Sequence, residues 1–229
     1  VPPSSKAESS CSATPQPAST EPPSRRPVPG SPPAVPRNRY VIFGLLAVLG
    51  AAADLISKQV VFAKRGLPAE SDVWWVIEGY VGIETAVNTG AVFGLGAGRG
   101  LMFAALSVLA AIGILIWLFW FRAAYQLWLT VALGCVMAGI FGNLYDRLGL
   151  WWQPGYPEAW RSGVRDWILW QAGENWKWPN FNIADSLLVI GAGMLLWKSF
   201  FPDPPHGSPT EAGQPSDTDA GATTTTNSD

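Results

Sequence analysis

Phe181-Asn182-Ile183-Ala184-Asp185-Ser186 sets a carboxylate at the mouth of a hydrophobic run that continues to Phe201. A charged side chain at the edge of a membrane helix is costly unless it is paired, hydrated or used. Upstream lie three more apolar runs of similar length, Tyr40–Ser57, Gly100–Phe121 and Tyr125–Tyr145. Each is close to the roughly 20 residues that a hydrocarbon core of about 30 Å requires. The sequence therefore predicts an all-α membrane protein with four transmembrane helices. Its mean hydropathy of +0.17 is modest because two polar tails dilute the spans.

Residues 1–39 are rich in Pro, Ser and Ala, and residues 202–229 in Pro, Gly, Asp and Thr. Neither tail can bury enough surface to offset its ordering entropy, so both are expected to be disordered around a membrane domain over residues 40–201. The first apolar run carries Asp54 and Lys58 at its far end, and no small-residue cleavage site follows, so it reads as a span rather than a cleavable signal. A formal net charge of −2 with no basic stripe argues against a nucleic-acid partner. Cys11 falls in a tail and Cys135 in a span, so no disulfide is expected. The one histidine, His206, lies in the C-terminal tail, which removes a Ser-His triad, a Cys-His pair and a histidine-based zinc site.

Four alternating spans place both tails on one side. Asp54 and Lys58 at the exit of the first span, Asn143, Asp146 and Arg147 at the exit of the third, Asn88 to Gly94 before the second, and Asn182 and Asp185 at the entry of the fourth then meet on the opposite face. Arg25, Arg26, Arg37, Arg39, Arg122 and Lys198 lie on the tail side, against Lys64, Arg65, Arg99, Arg161, Arg165 and Lys177 on the other. The short loop at Arg122 and the arginines before the first span tip the balance toward cytoplasmic tails. On the polar face, residues 67–99 read as short strands on the bilayer surface, a small β-rich region. Residues 147–181 hold seven tryptophans, and indole favours the headgroup zone, so this segment is expected to lie on the membrane and partly cover the site.

Asp166 and Asp185 are the candidates for chemistry. Two carboxylates sharing one site do not both ionise easily, so the pair holds a proton between them. One can then deprotonate a water while the other protonates the departing group or its oxyanion. The plainer readings are a first-turn helix acid for Asp185 and a loop acid paired with Arg165 for Asp166. Asn143 and Asn182 each precede an acid by three residues, a helix-face spacing that suits orienting a carboxylate or holding a substrate carbonyl, and equally suits interhelical hydrogen bonding. Asp54 and Lys58 are four apart, as an ion pair on one helix face would be. Asp146 and Arg147 read as a buried anchor, with Arg147 alternatively meeting an anionic or carbonyl group of a substrate. Gly90, within Asn88-Thr89-Gly90-Ala91-Val92-Phe93-Gly94, allows a tight turn or close backbone approach.

Taken in order, Asp54-Leu55-Ile56-Ser57-Lys58, Asn88-Thr89-Gly90-Ala91-Val92-Phe93, Gly142-Asn143-Leu144-Tyr145-Asp146-Arg147, Val164-Arg165-Asp166-Trp167 and Phe181-Asn182-Ile183-Ala184-Asp185-Ser186 resemble the bacterial lipoprotein signal peptidase (signal peptidase II) family. The resemblance covers about residues 40 to 201 and implies an aspartyl endopeptidase of the bacterial inner membrane, working without a metal or organic cofactor. It implies Asp166 and Asp185 as the catalytic pair, with Asp54, Lys58, Asn88, Gly90, Asn143, Asp146, Arg147 and Asn182 lining or supporting the site. The implied partners are prolipoprotein substrates and membrane lipid, with cleavage before a cysteine already bearing diacylglycerol. The enzyme is expected to be a monomer with its site toward the periplasm and both tails cytoplasmic. Two departures stand out: the family pattern reads Val-Val-Asp-Phe where this chain has Val164-Arg165-Asp166-Trp167, and the Trp-rich stretch 148–163 lengthens the gap after Arg147.

Other classes fit less well. A proton-coupled carrier would place polar residues at mid-span and show an internal repeat. A rhomboid-type protease needs a histidine within the spans, and a presenilin-type enzyme a Gly-x-Gly-Asp motif, where Gly191-Ala192-Gly193-Met194 lacks the acid.

Overall fold

The computed structural model of the chain describes residues 34–90, 98–173 and 176–201. The tails over 1–33 and 202–229, and with them Cys11 and His206, lie outside the described residues, as do residues 91–97 of the Gly90 segment. Among the described residues, four helices are long and apolar enough to cross a membrane: α1 (Arg37–Arg65), α2 (Gly100–Leu115), extended by a π-helical turn at Ile116–Trp120, α3 (Leu127–Arg147) and α4 (Ile183–Phe200). α1 starts earlier and ends later than the apolar run alone indicates. The helix runs on through Gln59 to Arg65, past the end of the apolar run, and stops only at Gly66 (φ 80°), whose N–H donates to the Phe62 carbonyl. Asp54 and Lys58 therefore sit within the helix rather than at its exit.

α3 is the central helix. Small residues let its neighbours approach: a Cβ added at Gly134 would meet Leu46 of α1 at 3.1 Å, and one at Gly139 the Ala184 carbonyl of α4 at 2.5 Å. Such close backbone approach is how helices associate where lipid removes the hydrophobic driving force. Phe43, Ala47, Ala111, Leu118, Leu133, Met137 and Ile140 form the buried apolar cluster between α1, α2 and α3. The outer apolar side chains, among them Val48, Leu49, Leu109 and Val189, stay exposed, as lipid-facing residues of a helical bundle must be.

Four strands, β1 (Trp74–Ile77), β2 (Val81–Asn88), β3 (Val164–Gln171) and β4 (Lys177–Phe181), form one antiparallel sheet in the order β1-β2-β3-β4. α1 leads into β1, β2 precedes α2, α3 leads toward β3, and β4 runs directly into α4. The sheet thus serves the ends of the spans where the polar clusters fall. The result is four apolar helices plus a four-stranded sheet, so the all-α label describes only the spans. The expected strands over 67–99 appear as β1 and β2. Residues 164–171 and 177–181, for which the tryptophan content alone named no secondary structure, form strands β3 and β4. Their pattern does not alternate apolar with polar, because Val164, Arg165 and Asp166 are all buried and the period-2 signal of a half-buried strand is lost.

Candidate active site

The site starts from a lysine. Asp54 and Lys58 are one helical turn apart on α1, and the Lys58 ammonium lies 2.7 Å from Asp54 Oδ2. It also lies 3.2 Å from Asp146 Oδ2 and donates to Asn143 Oδ1 at 3.0 Å, both on α3. The ammonium thus makes one hydrogen bond, to Asn143, and two ion pairs with carboxylates. Asp54, Lys58 and Asp146 are 0% exposed, so the pairing is obligatory: a lone buried charge would cost several kcal/mol, roughly. The other Asp54 oxygen accepts the Ala184 N–H at 2.9 Å, one of the first-turn donors of α4. Asp54 is therefore an ion-pair partner and a cap on a second helix at once.

Asn182 gathers the two candidate acids. It is fully buried and is the N-cap of α4: its side chain accepts the Asp185 N–H at 2.9 Å, and the Asp185 side chain accepts the Asn182 N–H at 3.3 Å, a capping box. The three-residue spacing thus works as a cap, not as two positions on one helix face. The Asn182 amide nitrogen donates to Asp166 Oδ1 at 2.6 Å and to Asn143 Oδ1 at 3.1 Å. Asn143 in turn donates to Asp185 Oδ1 at 2.8 Å. Asp185 is both a first-turn helix acid and a partner of Asn143. Asp166, 2% exposed, is held well above the usual carboxylate range by burial and then by the facing charge of Asp185, against the pull of Lys58 and of hydrogen bonds from Asn182 and Asn88. A buried carboxyl of that kind, beside a second one, gives up its proton less readily than an ordinary carboxyl.

β3 presents its neighbours to opposite sides, and this overturns the pairing of Asp166 with Arg165. Arg165 turns away to Asp146, with Nε at 3.1 Å and Nη2 at 2.8 Å from Oδ1, while its backbone N–H donates to Oδ2 at 3.0 Å. Alternation along a strand is the reason. Arg147 forms a separate clamp: it donates to the carbonyls of Asn88 (3.2 Å), Ser162 (3.1 Å) and Gly90, and lies over the Phe103 ring. It is not paired with Asp146, its neighbour in the chain. Asn88 Oδ1 accepts the Gly90 N–H at 3.0 Å, which shapes the turn that Arg147 grips.

Asp54, Lys58, Asn143, Asp146, Asn182, Asp166 and Asp185 form one continuous polar network, and Arg147, Asn88 and Gly90 an adjoining one. Sequence reasoning missed three participants: Arg165 as the partner of Asp146, the Ala184 amide as the partner of Asp54, and Trp151, whose ring lies 5.4 Å from the Arg165 guanidinium. A strand reading of 164–171 would have found the first, since it sends residues 165 and 166 to opposite faces.

A family model described as "Signal peptidase (SPase) II" matches residues 46–201. The lipoprotein signal peptidase of Rhodopirellula baltica is 66% identical over 175 residues, covering 76% of this chain and 78% of the relative. That of Symbiobacterium thermophilum is 32% identical over 152 residues, 66% of this chain and 90% of the relative. Two solved structures of a bacterial membrane enzyme align with TM-scores of 0.58 and 0.55 at 26% identity, covering 72% and 71% of this chain and 93% and 94% of theirs. The match runs from the first span through the last, over every element that carries the polar network, and the chain belongs to the signal peptidase II family.

Proposed function

We propose that this protein is an aspartyl endopeptidase of the bacterial inner membrane that removes signal peptides from diacylglyceryl-modified prolipoproteins, cleaving before the lipidated cysteine. The observation that carries the reading is the meeting of Asp166 on β3 with the cap of Asp185 on α4, through Asn182. With one proton shared by the pair, the ionised carboxylate takes a proton from water as its oxygen attacks the scissile carbonyl. The protonated partner gives its proton to the carbonyl oxygen as the C=O electrons move there. On collapse the first acid, now protonated, gives its proton to the departing nitrogen as the C–N bond breaks. The second, now ionised, takes a proton from one hydroxyl as the carboxyl carbonyl re-forms, so the acids swap roles between the two steps and the pair ends with its single proton. Asn143 and Asn182 fix the carboxylates, so little reorganisation is needed during the reaction.

The sheet lies at the end of the spans opposite Arg37 and Phe200, so the site faces the periplasm when those helix ends are cytoplasmic. Lipid-exposed helix faces leave a lateral route by which the diacylglyceryl chains approach from the bilayer, and the enzyme works as a monomer. The reading is tested with the purified full chain in detergent, a diacylglyceryl-modified prolipoprotein, and the variants Asp166→Asn and Asp185→Asn. The parent is expected to shorten the substrate on a gel, and neither folded variant is. Cleavage that survives Asp166→Asn moves the partner role to another acid, Asp146 first. A folded parent that leaves the lipidated substrate intact removes the proposal.

A further inference from the structure

Asp146 is held from two sides. Lys58 approaches its Oδ2 at 3.2 Å, and Arg165 supplies two side-chain donors to Oδ1 and a backbone donor to Oδ2. Arg165 is 3% exposed, and its guanidinium lies against both Trp151 (5.4 Å) and Phe62 (5.9 Å), rings that meet each other edge to face at 6.1 Å, with Nη1 reaching Gln59 at 3.4 Å. Aromatic faces on a desolvated guanidinium are attractive and restrict where it can go. Trp151 is itself fixed, its indole N–H donating to the Gly163 carbonyl at 2.9 Å. Beyond it is a cavity of 320 Å³ lined by Gln59, Phe62, Glu70, Trp151, Gln153 and Arg165. Arg165 both lines that cavity and binds Asp146, so it stands between the open space and the buried ion pairs.

The two departures in the sequence, Arg165 and the stretch 148–163, are therefore one unit: the stretch brings the tryptophan that seats the arginine. We propose that Arg165 is a positioning residue for the Asp166–Asp185 pair, acting through Asp146 and seated by Trp151. Lys58 is shared among three groups, ion-paired with Asp54 and Asp146 and hydrogen-bonded to Asn143. Arg165 satisfies most of Asp146, leaving Lys58 to hold Asn143, and Asn143 holds Asp185. Arg165 also ties β3 to α3 at the residue directly before Asp166. Without it, Asp146 leans on Lys58 alone, Lys58 is drawn from Asn143, and both acids lose their fixed positions. The charged groups facing this point are Asp54 and Lys58 from α1, Asp146 and Arg147 from α3, Asp166 from β3, Asp185 from α4, and Glu70 across the cavity.

The inference rests on the aspartyl reading above, and the test separates the two. Rate against pH is measured for the full chain in detergent with lipidated prolipoprotein, comparing Arg165→Val, Arg165→Lys, Trp151→Leu, the Arg165→Val/Trp151→Leu pair and Asp166→Asn. Arg165→Val is expected to lower kcat by roughly 10- to 100-fold with KM nearly unchanged, because misplacement of reacting groups acts on the chemical step. Losing a cation near the pair disfavours its ionised form, so both limbs of the profile move to higher pH by about half a unit. Arg165→Lys keeps the charge and loses the converging donors: its limbs stay in place and kcat falls by about threefold or more. Trp151→Leu lowers kcat in the same direction, and the pair is no worse than Arg165→Val alone. Parent-like kcat and limbs in folded Arg165→Val, even with a lower Tm, overturn the inference. If Arg165→Val does not fold, a parent-like kcat in Arg165→Lys overturns it. Additive effects of Trp151→Leu and Arg165→Val overturn the link to the 148–163 stretch. Activity in Asp166→Asn overturns the aspartyl reading instead.

Discussion

Asn182 donates to Asp166 at 2.6 Å while forming a reciprocal cap with Asp185, so one buried amide fixes both candidate acids. Replacing it with alanine removes the link to β3 and the cap on α4 together. Loss of an N-cap costs about 1 kcal/mol of stability, a modest penalty beside the expected fall in kcat of roughly 100-fold. Asn182→Asp retains a capping oxygen but sets a third acid against the pair, and should be as inactive with a smaller loss of Tm. Steady-state kinetics beside thermal denaturation distinguishes these two losses. An Asn182→Ala variant with near-parent kcat would show that the acids hold their geometry without it.

Lys58 compensates two fully buried carboxylates, Asp54 and Asp146. Lys58→Met leaves Asp54 without a counter-charge and Asp146 with Arg165 alone, and breaking a buried pair by deleting one partner costs about 3–5 kcal/mol. The variant is expected to lose most of its thermal stability in detergent. Adding Asp54→Asn should recover part of it, since the amide oxygen can still accept the Ala184 N–H. Absence of recovery in the double variant would place the damage at Asp146 and Asn143.

The spans were legible because 18 or more apolar residues in a row have few other uses. The convergence of the acids was legible too, because alternation of spans alone sends Asp54, Asp146 and Asp185 to one face. What was not legible is how the polar residues divide among partners. Arg147 and Arg165 are each next to an acid in the chain, yet Arg147 binds carbonyls and Arg165 binds an acid 19 positions away. Adjacency is a poor guide because consecutive side chains on a strand point to opposite faces, and on a helix about 100° apart. Asp54 capping α4 depends on a contact over 130 positions that no local spacing encodes.

The Asp166 carboxyl is raised above its ordinary range by burial and by Asp185. For a group whose pKa is higher folded than unfolded, its contribution to stability is fully present below the unfolded value, near 3.9, roughly, and is lost as pH rises through the folded value. Asp166→Asn carries no charge to desolvate and still offers an oxygen to Asn182. Its Tm is therefore expected to exceed the parent's at pH 8, with the gap narrowing steadily on acidification. A difference in Tm that stays constant between pH 4 and 8, two assay values on the order of the usual working range, would mean that Asp166 is not the group being relieved.

Gly142 holds the α1–α3 approach open where the charges lie. A Cβ there would fall 2.5 Å from Asp54 Oδ2, the oxygen paired with Lys58, and 3.0 Å from the Ala184 Cβ. Neither neighbour can retreat cheaply: Asp54 is held by Lys58 and by the Ala184 N–H, and Ala184 is fully buried in the first turn of α4. Gly142→Ala should therefore push Asp54 off both partners, with a cost of about 1–3 kcal/mol for overpacking and a larger loss of activity than of fold. Gly113→Ala is the control, because a Cβ at Gly113 meets nothing within 4 Å. On a helix that substitution should be neutral or slightly stabilising, by about 1 kcal/mol at most. Comparing the two in Tm and kcat separates the close approach at Gly142 from the effect of a Gly→Ala change in a helix as such. Equal effects of the two substitutions would mean that the close approach at Gly142 does not matter, and a selective loss at Gly142 ties the packing of α1 against α3 to the placement of Asp54 and Lys58.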